Sequence, residues 1–374
     1  MHPKKRAITF FLLTTQVLIS LVCAIFYLAL RDIFSFGRIE PFVLVTFIFF
    51  AFSFLISSFV SHSYNNFFSK TLYSISAVWL GFLYYFFFAS VIYFAGQLAI
   101  LSFNLPFSVT LWGQGLFLVT LSLVIYGFVN AQYLQLTRFH LELPHIPDSW
   151  IGRKAVFISD PHLGQVRGKK FAQRIVDRIN QINPDVIFIG GDLFDGVKVH
   201  AEDIISPLQQ LHPTLGTYYI TGNHEYMSRE SAEYIADIKN LGIRVLTDEM
   251  IDLEGLQIIG VDYRDSAQAD AYDELLENLS FDLHKPSILL KHTPFHIEIA
   301  EKHGINFQIS GHTHHGQMFP GSLLTKKLFK GFDYGLKTFK RMIVFTSSGI
   351  GTWGPPMRVG TKSEIVLINF THPI

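Results

Sequence analysis

The sequence predicts a region of four transmembrane helices followed by an α/β domain, and three observations predict it. Of the sixty Asp, Glu, Lys and Arg residues only nine lie at or before Arg138: Lys4, Lys5, Arg6, Arg31, Asp32, Arg38, Glu40, Lys70 and Arg138. Within that nearly charge-free stretch, the apolar runs are long enough to cross a bilayer. After Trp150, short runs rich in Val, Ile and Phe alternate with longer segments of helical spacing, the pattern of an α/β domain.

The spans come first in the chain. Ile8 to Leu30 and Pro41 to Ser61 carry no charge, and each can cross a hydrocarbon core of roughly 30 Å at about 1.5 Å per helical residue. Between Lys70 and Arg138 no charged residue occurs, a run about twice too long for one helix. The stretch "SFNLPFS", residues 102–108, divides it, because Pro106 removes a backbone donor and Asn104 favours a turn. Residues 1–135 are therefore expected to hold four transmembrane helices, at about 8–30, 41–61, 76–101 and 111–131. Trp79, Tyr84, Tyr85, Tyr93 and Trp112 are available for interfacial belts. The first run is longer than a signal-peptide core and three more follow it, which argues against cleavage. No charge lies in mid-span, so an ion or proton path has little support and anchoring is the simpler job.

Basic residues in the short loops set the expected orientation. The N-terminus, the second loop and the segment after the last span hold Lys4, Lys5, Arg6, Lys70, Arg138, Arg153 and Lys154, against Arg31 and Arg38 in the first loop. This balance favours a cytoplasmic N-terminus, and four spans return the chain to the cytoplasmic side. The expected location is integral to a membrane, a bacterial inner membrane by the resemblance described below. Lysine and arginine together equal aspartate and glutamate over the whole chain, so charge gives no nucleic-acid-binding signal. The one cysteine, Cys23, lies inside the first span, which excludes an intramolecular disulfide and a thiolate metal site.

Residues 136–150 are expected to be a linker and residues 151–374 the α/β domain. Its apolar runs share a property: "AVFIS" ends at Asp160, "DVIFIGG" at Asp192, "TYYITG" at Asn223 and "SILLK" at His292, and "FQIS" stops just before Gly311. In open α/β sheets, functional groups gather beyond the carboxyl ends of the strands. "KKFAQRIVDRINQIN" and "SAEYIADIKNLG" read as amphipathic helices, whereas "IRVLTDEMIDLEGLQIIGVD", "MIVFTSSG" and "EIVLINF" read as further strands.

The strand endings spell "SDPHLG", "GGDLFD", "GNHE", "LKHTP" and "GHTH". Taken singly each is bland: DxH is usually two surface polar residues, GNHE a turn before a helix, GHTH a solvated hairpin. Five together at successive strand ends are not. The set resembles the calcineurin-like metallophosphoesterase superfamily, whose signature is DxH, GDxxD, GNH[DE], a later His and GHxH, in that order. "GHTHHGQMFP" and "GIGTWGPPMRVG" look like its bacterial membrane-associated branch, which includes the YkuE and YaeI types.

The resemblance implies two packed mixed β-sheets flanked by helices, and a hydrolase acting on phosphodiester, phosphomonoester or pyrophosphate bonds. It implies that Asp160, His162, Asp192 and His314 hold one divalent metal while Asp192, Asn223, His292 and His312 hold a second, Asp192 bridging. A metal-bridging hydroxide would then attack phosphorus in line, His224 would serve the leaving oxygen, and Asp195 would orient His224. Oxygen and nitrogen donors suit Mn, Fe or Zn, with Mn the first choice. The anchor places a phosphate-ester site beside the lipid bilayer, so lipid-linked substrates belong among the expectations. The alternative reading is a membrane-anchored metal-binding regulatory or interaction module without turnover. His200, His212, His284, His296 and His303 have no partner motif, and His315 has no ligand counterpart. Arg358 could meet a phosphate or make a structural salt bridge.

Overall fold

A computed structural model describes residues 3–64, 66–195, 201–227 and 230–372. The chain divides into two compact units: Met1–Val129 with Gly354–Met357, and Asn130–Trp353 with Arg358–Ile374.

The first unit contains helices α1 (Pro3–Phe34), α2 (Glu40–Ser63), α3 (Phe67–Ser102) and α4 (Val109–Asn130). Among the described residues, four segments are long and apolar enough to cross a membrane: Leu12–Phe34, Gly37–Ser61, Phe67–Ser102 and Val109–Asn130. Helix α3 starts nine residues before the expected span, because Asn66 caps it: the Asn66 side chain accepts from Ser69 N at 2.9 Å and Ser69 Oγ accepts from Asn66 N at 3.1 Å. Aromatic rings and small residues make the packing. Phe26 stacks on Phe86 at 4.7 Å and Phe50 on Trp79 at 4.7 Å. A Cβ on Gly96 would overlap the Trp112 indole, and one on Gly113 would overlap Ile33 and Tyr93, so these glycines let helices approach closely.

The second unit is two mixed six-stranded sheets. One runs β1 (Leu134–Glu142), β12 (Ser363–Thr371), β2 (Lys154–Ile158), β3 (Val186–Ile189), β4 (Thr217–Tyr219) and β5 (Arg244–Val245). The other runs β10 (Gly335–Phe339), β11 (Met342–Thr346), β9 (Phe307–Ser310), β8 (Ser287–Leu290), β7 (Leu256–Gly260) and β6 (Glu249–Leu253). Alternation along each strand decides which side chains meet. Ala155, Phe157 and Phe188 of the first sheet join Ile258, Ile288, Leu290, Phe307 and Ile309 of the second in one buried cluster, so the sheets pack face to face. The alternate residues Val156, Ile158, Ile187 and Ile189 face helices α5 (Lys169–Ile182), α6 (Ala201–Ile205) and α7 (Ser231–Asn240). Ile259 and Leu289 pack instead against α8 (Ala269–Asn278) and α9 (Ile297–Lys302). The last helix, α10 (Gly321–Leu328), follows the fifth motif.

The segment 136–150, expected as a linker, instead opens within β1, which runs parallel to β12 over nine registered pairs from Leu134–Ser363 to Glu142–Thr371. Its "LQLTRFHLE" carries apolar residues on both faces: Leu134 and Leu136 pack against one core cluster, and Phe139 and Leu141 against the other.

Candidate metal centre

The five motifs lie where β2, β3, β4, β8 and β9 end, so the carboxyl edges of both sheets meet at one place. The turns there are unusual. Asp160, His162, Asp192, His312 and His314 all have left-handed backbone, with φ of 55°, 47°, 51°, 69° and 48°. For residues other than glycine this conformation is uncommon, and it persists only where surroundings fix it. Those surroundings are hydrogen bonds between motifs. Asp160 N donates to Gly191 O at 3.0 Å and His162 N to Asp192 O at 3.1 Å. His312 N donates to both carboxylate oxygens of Asp160 at 3.0 Å, and His224 N donates to Asp192 Oδ1 at 2.8 Å.

The side chains converge in two neighbouring groups. Asp160, His162 and His314 bring ligand atoms within 4.8 Å of one another, and so do Asp192, His292 and His312. His162 Nε2 and His314 Nε2 stand 3.0 Å apart, and His314 Nε2 lies 3.6 Å from Asp160 Oδ1. In the other group His312 Nδ1 is 3.2 Å from His292 Nε2, which is 3.2 Å from both Asn223 Oδ1 and Asp192 Oδ2. Asp192 Oδ2 also lies 3.9 Å from His162 Nε2, so Asp192 stands between the groups. All seven residues expected as ligands are therefore brought together. Imidazole nitrogens crowded face to face with buried carboxylates are a donor set suited to divalent ions.

The electrostatics follow from burial. Burial pushes the His312 imidazole down to about 3, with the His292 charge adding to it, and pushes His162 and His314 well down as well. His292 goes the other way. Burial alone would lower it, but Asp192, Asp160 and the Gly190 carbonyl override that and hold it at about 9. Neutral imidazole is the ligating form, so a divalent ion held by His292 at pH 7 would have to displace a proton from it. Affinity should then rise about tenfold per pH unit up to about pH 9. Isothermal titration of the metal-free protein in buffers of different ionisation enthalpy should show about one proton released; heats that do not depend on the buffer would contradict it.

His224 touches this assembly from the side. Its ring lies edge-on to His162 with centroids 4.5 Å apart, and it forms a third group of possible ligands with His162 and Asp192. Its Nδ1 has no hydrogen-bond partner among the described residues. Asp195 was expected to orient His224, yet its Oδ1 stands 3.6 Å from His162 Nδ1 instead. The turn after β3 explains this: Asp195 N donates to Leu163 O at 3.1 Å, which locks Asp195 onto the DxH loop. Burial, then the neighbouring Asp192 charge, raises the Asp195 carboxyl to about 8, so it is mostly neutral at pH 7.

Arg358 resolves toward structure. It is fully buried, and its guanidinium donates to the carbonyls of Ser348 (2.6 Å), Gly351 (2.7 Å), Gly349 (3.2 Å) and His314 (3.4 Å). It ties the His314 turn to the loop before Trp353. His315 stacks on Tyr334 at 4.4 Å with its Nε2 3.8 Å from Asp333 Oδ2, away from both ligand groups. His303 pairs with Asp273 at 2.6 Å and His296 precedes α9. His212 and His284 belong to neither group of possible ligands, and His200 lies outside the described residues.

Three residues escaped the sequence reading. Glu225, the last letter of GNHE, is fully buried and accepts from Gly222 N (2.7 Å), Asp192 N (3.0 Å) and Phe194 N (3.3 Å), stapling the third motif to the second. Trp353 is 59% exposed, with its ring 6.3 Å from that of His224. Gln317 fixes Trp353 from both directions, donating to its carbonyl at 3.0 Å and accepting from its N–H at 2.8 Å. The loop before it lies along the first motif, since Ile350 N donates to Ser159 O and Gly351 N to Asp160 O, both at 2.9 Å. A Cβ on Gly351 would overlap the Asp160 and Pro161 carbonyls. Signals for two of these were present in "GNHE" and "GHTHHGQ"; nothing in "GIGTWG" marks Trp353 as lining a site.

Comparisons with known proteins agree with this geometry. Residues 153–316 match the family described as calcineurin-like phosphoesterase. A metallophosphoesterase of Helicobacter pylori is 38% identical over 220 residues, covering 58% of this chain and 59% of the relative. A zebrafish (Danio rerio) transmembrane protein with a metallophosphoesterase domain is 32% identical over 268 residues, 67% of this chain and 61% of its own length. A Campylobacter jejuni metallophosphoesterase is 32% identical over 260 residues, 67% of this chain and 68% of its own. The chain thus spans about three fifths of the first two relatives.

Proposed function

Because the chain belongs to the calcineurin-like metallophosphoesterase family, we propose that it is a membrane-anchored, divalent-metal-dependent phosphoester hydrolase. The observation that carries this reading is the convergence of seven oxygen and nitrogen donors around Asp192. Asp160, His162, Asp192 and His314 would hold one ion, and Asp192, Asn223, His292 and His312 a second. The absence of thiolates and the mixture of carboxylate, amide and imidazole make Mn the first choice, ahead of Fe and Zn. Such ions supply Lewis-acid stabilisation of charge on a phosphoryl group.

The chain's own residues supply the rest. His224 holds its ring at the edge of the ligand groups through its backbone bond to Asp192, with one ring nitrogen unengaged among the described residues. That placement suits a proton donor to a leaving oxygen. Asp195 lies beside His162, its Oδ1 3.6 Å from Nδ1. Glu225 and Arg358 hold the ligand turns, and neither is free to meet substrate. Four helices able to cross a membrane, with basic residues concentrated on the loops assigned to one side, support a catalytic unit on the cytoplasmic face. The substrates this favours are phosphodiesters or phosphomonoesters carried on lipid headgroups or lipid precursors.

The test is hydrolysis of bis(p-nitrophenyl) phosphate and p-nitrophenyl phosphate by the full-length protein in detergent, stripped of metal and reloaded with Mn, Fe or Zn. Turnover that depends on the added ion is expected. A protein that binds no divalent ion and turns over neither compound would leave a regulatory or interaction module as the better account.

Trp353 makes a further expectation about the alcohol half of the substrate. Its backbone is fixed while its indole is exposed beside His224, so an organic group on the leaving oxygen would pack against it. Trp353→Ala should raise KM for bis(p-nitrophenyl) phosphate about 5- to 10-fold with kcat within about twofold, and Trp353→Phe should keep most of the affinity. Unchanged KM in the alanine variant would place substrate elsewhere.

A further inference from the structure

Helix α10 contains no buried residue. Leu323, Leu324 and Leu328 are 61%, 69% and 57% exposed, and Phe319, just before the helix, is 51% exposed. At helical spacing the three leucines fall on one face, together with Lys327. The opposite side is held: Thr325 Oγ1 donates to Asp333 Oδ2 at 3.2 Å, and Phe329, buried, packs on Phe295 at 4.5 Å and lies 6.1 Å from His312. Single exposed leucines are ordinary, but three on one helix face, with lysines among and beside them, mark a contact surface.

The charge in the segment beside that face is nearly all basic, with Lys340 paired to Glu301 at 2.7 Å. Residues 321–341 contain Lys326, Lys327, Lys330, Lys337, Lys340 and Arg341 and a single acid, Asp333, which is buried, in a chain whose charges balance as a whole. Lys326, Lys327 and Lys330 are all exposed. Leucines on one face with lysines among and beside them are the composition of a helix that lies in a membrane interface, its apolar side chains among acyl chains and its ammonium groups at anionic headgroups.

We propose that α10 and the β10–β11 hairpin after it form a docking surface for an anionic lipid bilayer. The bilayer is favoured over a soluble partner because helices able to cross it belong to the same chain. It is therefore held within reach at high effective concentration. α10 begins seven residues after His314, and Phe329 at its far end adjoins His312. Seating the leucine face in headgroups thereby presents the metal centre to phosphate at the membrane surface. That consequence rests on the hydrolase reading; the docking itself does not.

The test uses full-length protein in nanodiscs of phosphatidylcholine, with and without phosphatidylglycerol. In a Cys23→Ser background, an environment-sensitive fluorophore is placed through Leu324→Cys, and, as a control, through Glu277→Cys on the exposed side of α8. Nitroxide-labelled lipid should quench the label at 324 at least about threefold more than the label at 277, and more in discs containing phosphatidylglycerol. Replacing Lys326, Lys327 and Lys330 by Glu should remove the dependence on anionic lipid. In the unlabelled wild type, trypsin should cut after these lysines more slowly in anionic discs than in neutral ones. Equal quenching at 324 and 277 together with equal trypsin rates would overturn the proposal. Neither readout requires metal or turnover, so a catalytically silent protein would still decide it.

Discussion

Asp192→Asn is expected to lower kcat/KM toward bis(p-nitrophenyl) phosphate by on the order of 10³-fold or more and to cut the bound metal at the same time. The change is nearly isosteric, so it isolates charge from shape. Asp192 Oδ1 would still accept from His224 N and the turn would still be held by Glu225, so circular dichroism and the melting transition should change little. What disappears is the carboxylate facing His292 and His162. The buried His292 then loses the charge that does most to favour its protonated form, and both proposed ligand sets lose the member they would share. Metal analysis by mass spectrometry alongside kinetics checks this, and a variant with full metal content and full activity would remove Asp192 from the centre of the mechanism.

His224→Ala should behave differently, although the two residues are in contact. A loss of about 10²- to 10⁴-fold in kcat is expected, the range for a positioned proton donor, with metal content unchanged. The loss should grow with the basicity of the leaving group. A p-nitrophenolate departs with little help, whereas an alkoxide needs a proton, so an alkyl phosphodiester should suffer more than its nitrophenyl counterpart. Because His224 lies within ligand distance of His162 and Asp192, metal content is the decisive control. If the alanine variant loses an ion, His224 is a ligand and its assignment as a proton donor falls.

Much of the α/β unit is legible in the sequence for physical reasons. Buried strands are short apolar runs, and their ends are abrupt because Asp160, Asp192 and Asn223 cannot continue them. The same abruptness exposed the residues that converge. Less legible were features that depend on what lies across the fold. Asp195 is three residues from Asp192, and spacing alone could not say that its carboxyl meets His162 rather than His224. By sequence Arg358 suits phosphate and structure equally; only the fold surrounds its guanidinium with four carbonyls. The strand β1 was missed because it follows an apolar span and its pairing partner lies over two hundred residues away. The length of α3 was missed because its start is set by the Asn66 capping box rather than by hydropathy.

That distant pairing also orders events during synthesis. Strand β12 lies between β1 and β2, so until residues 363–371 leave the ribosome both neighbours have an open hydrogen-bonding edge. The spans of the first unit and all five ligand motifs are made before that moment. A nascent chain is therefore tethered at the membrane with a nearly complete sandwich that lacks one interior strand, and exposed edges of this kind invite pairing with other chains. A stop codon just upstream of Ser363 would spare every ligand and still leave a chain prone to aggregate.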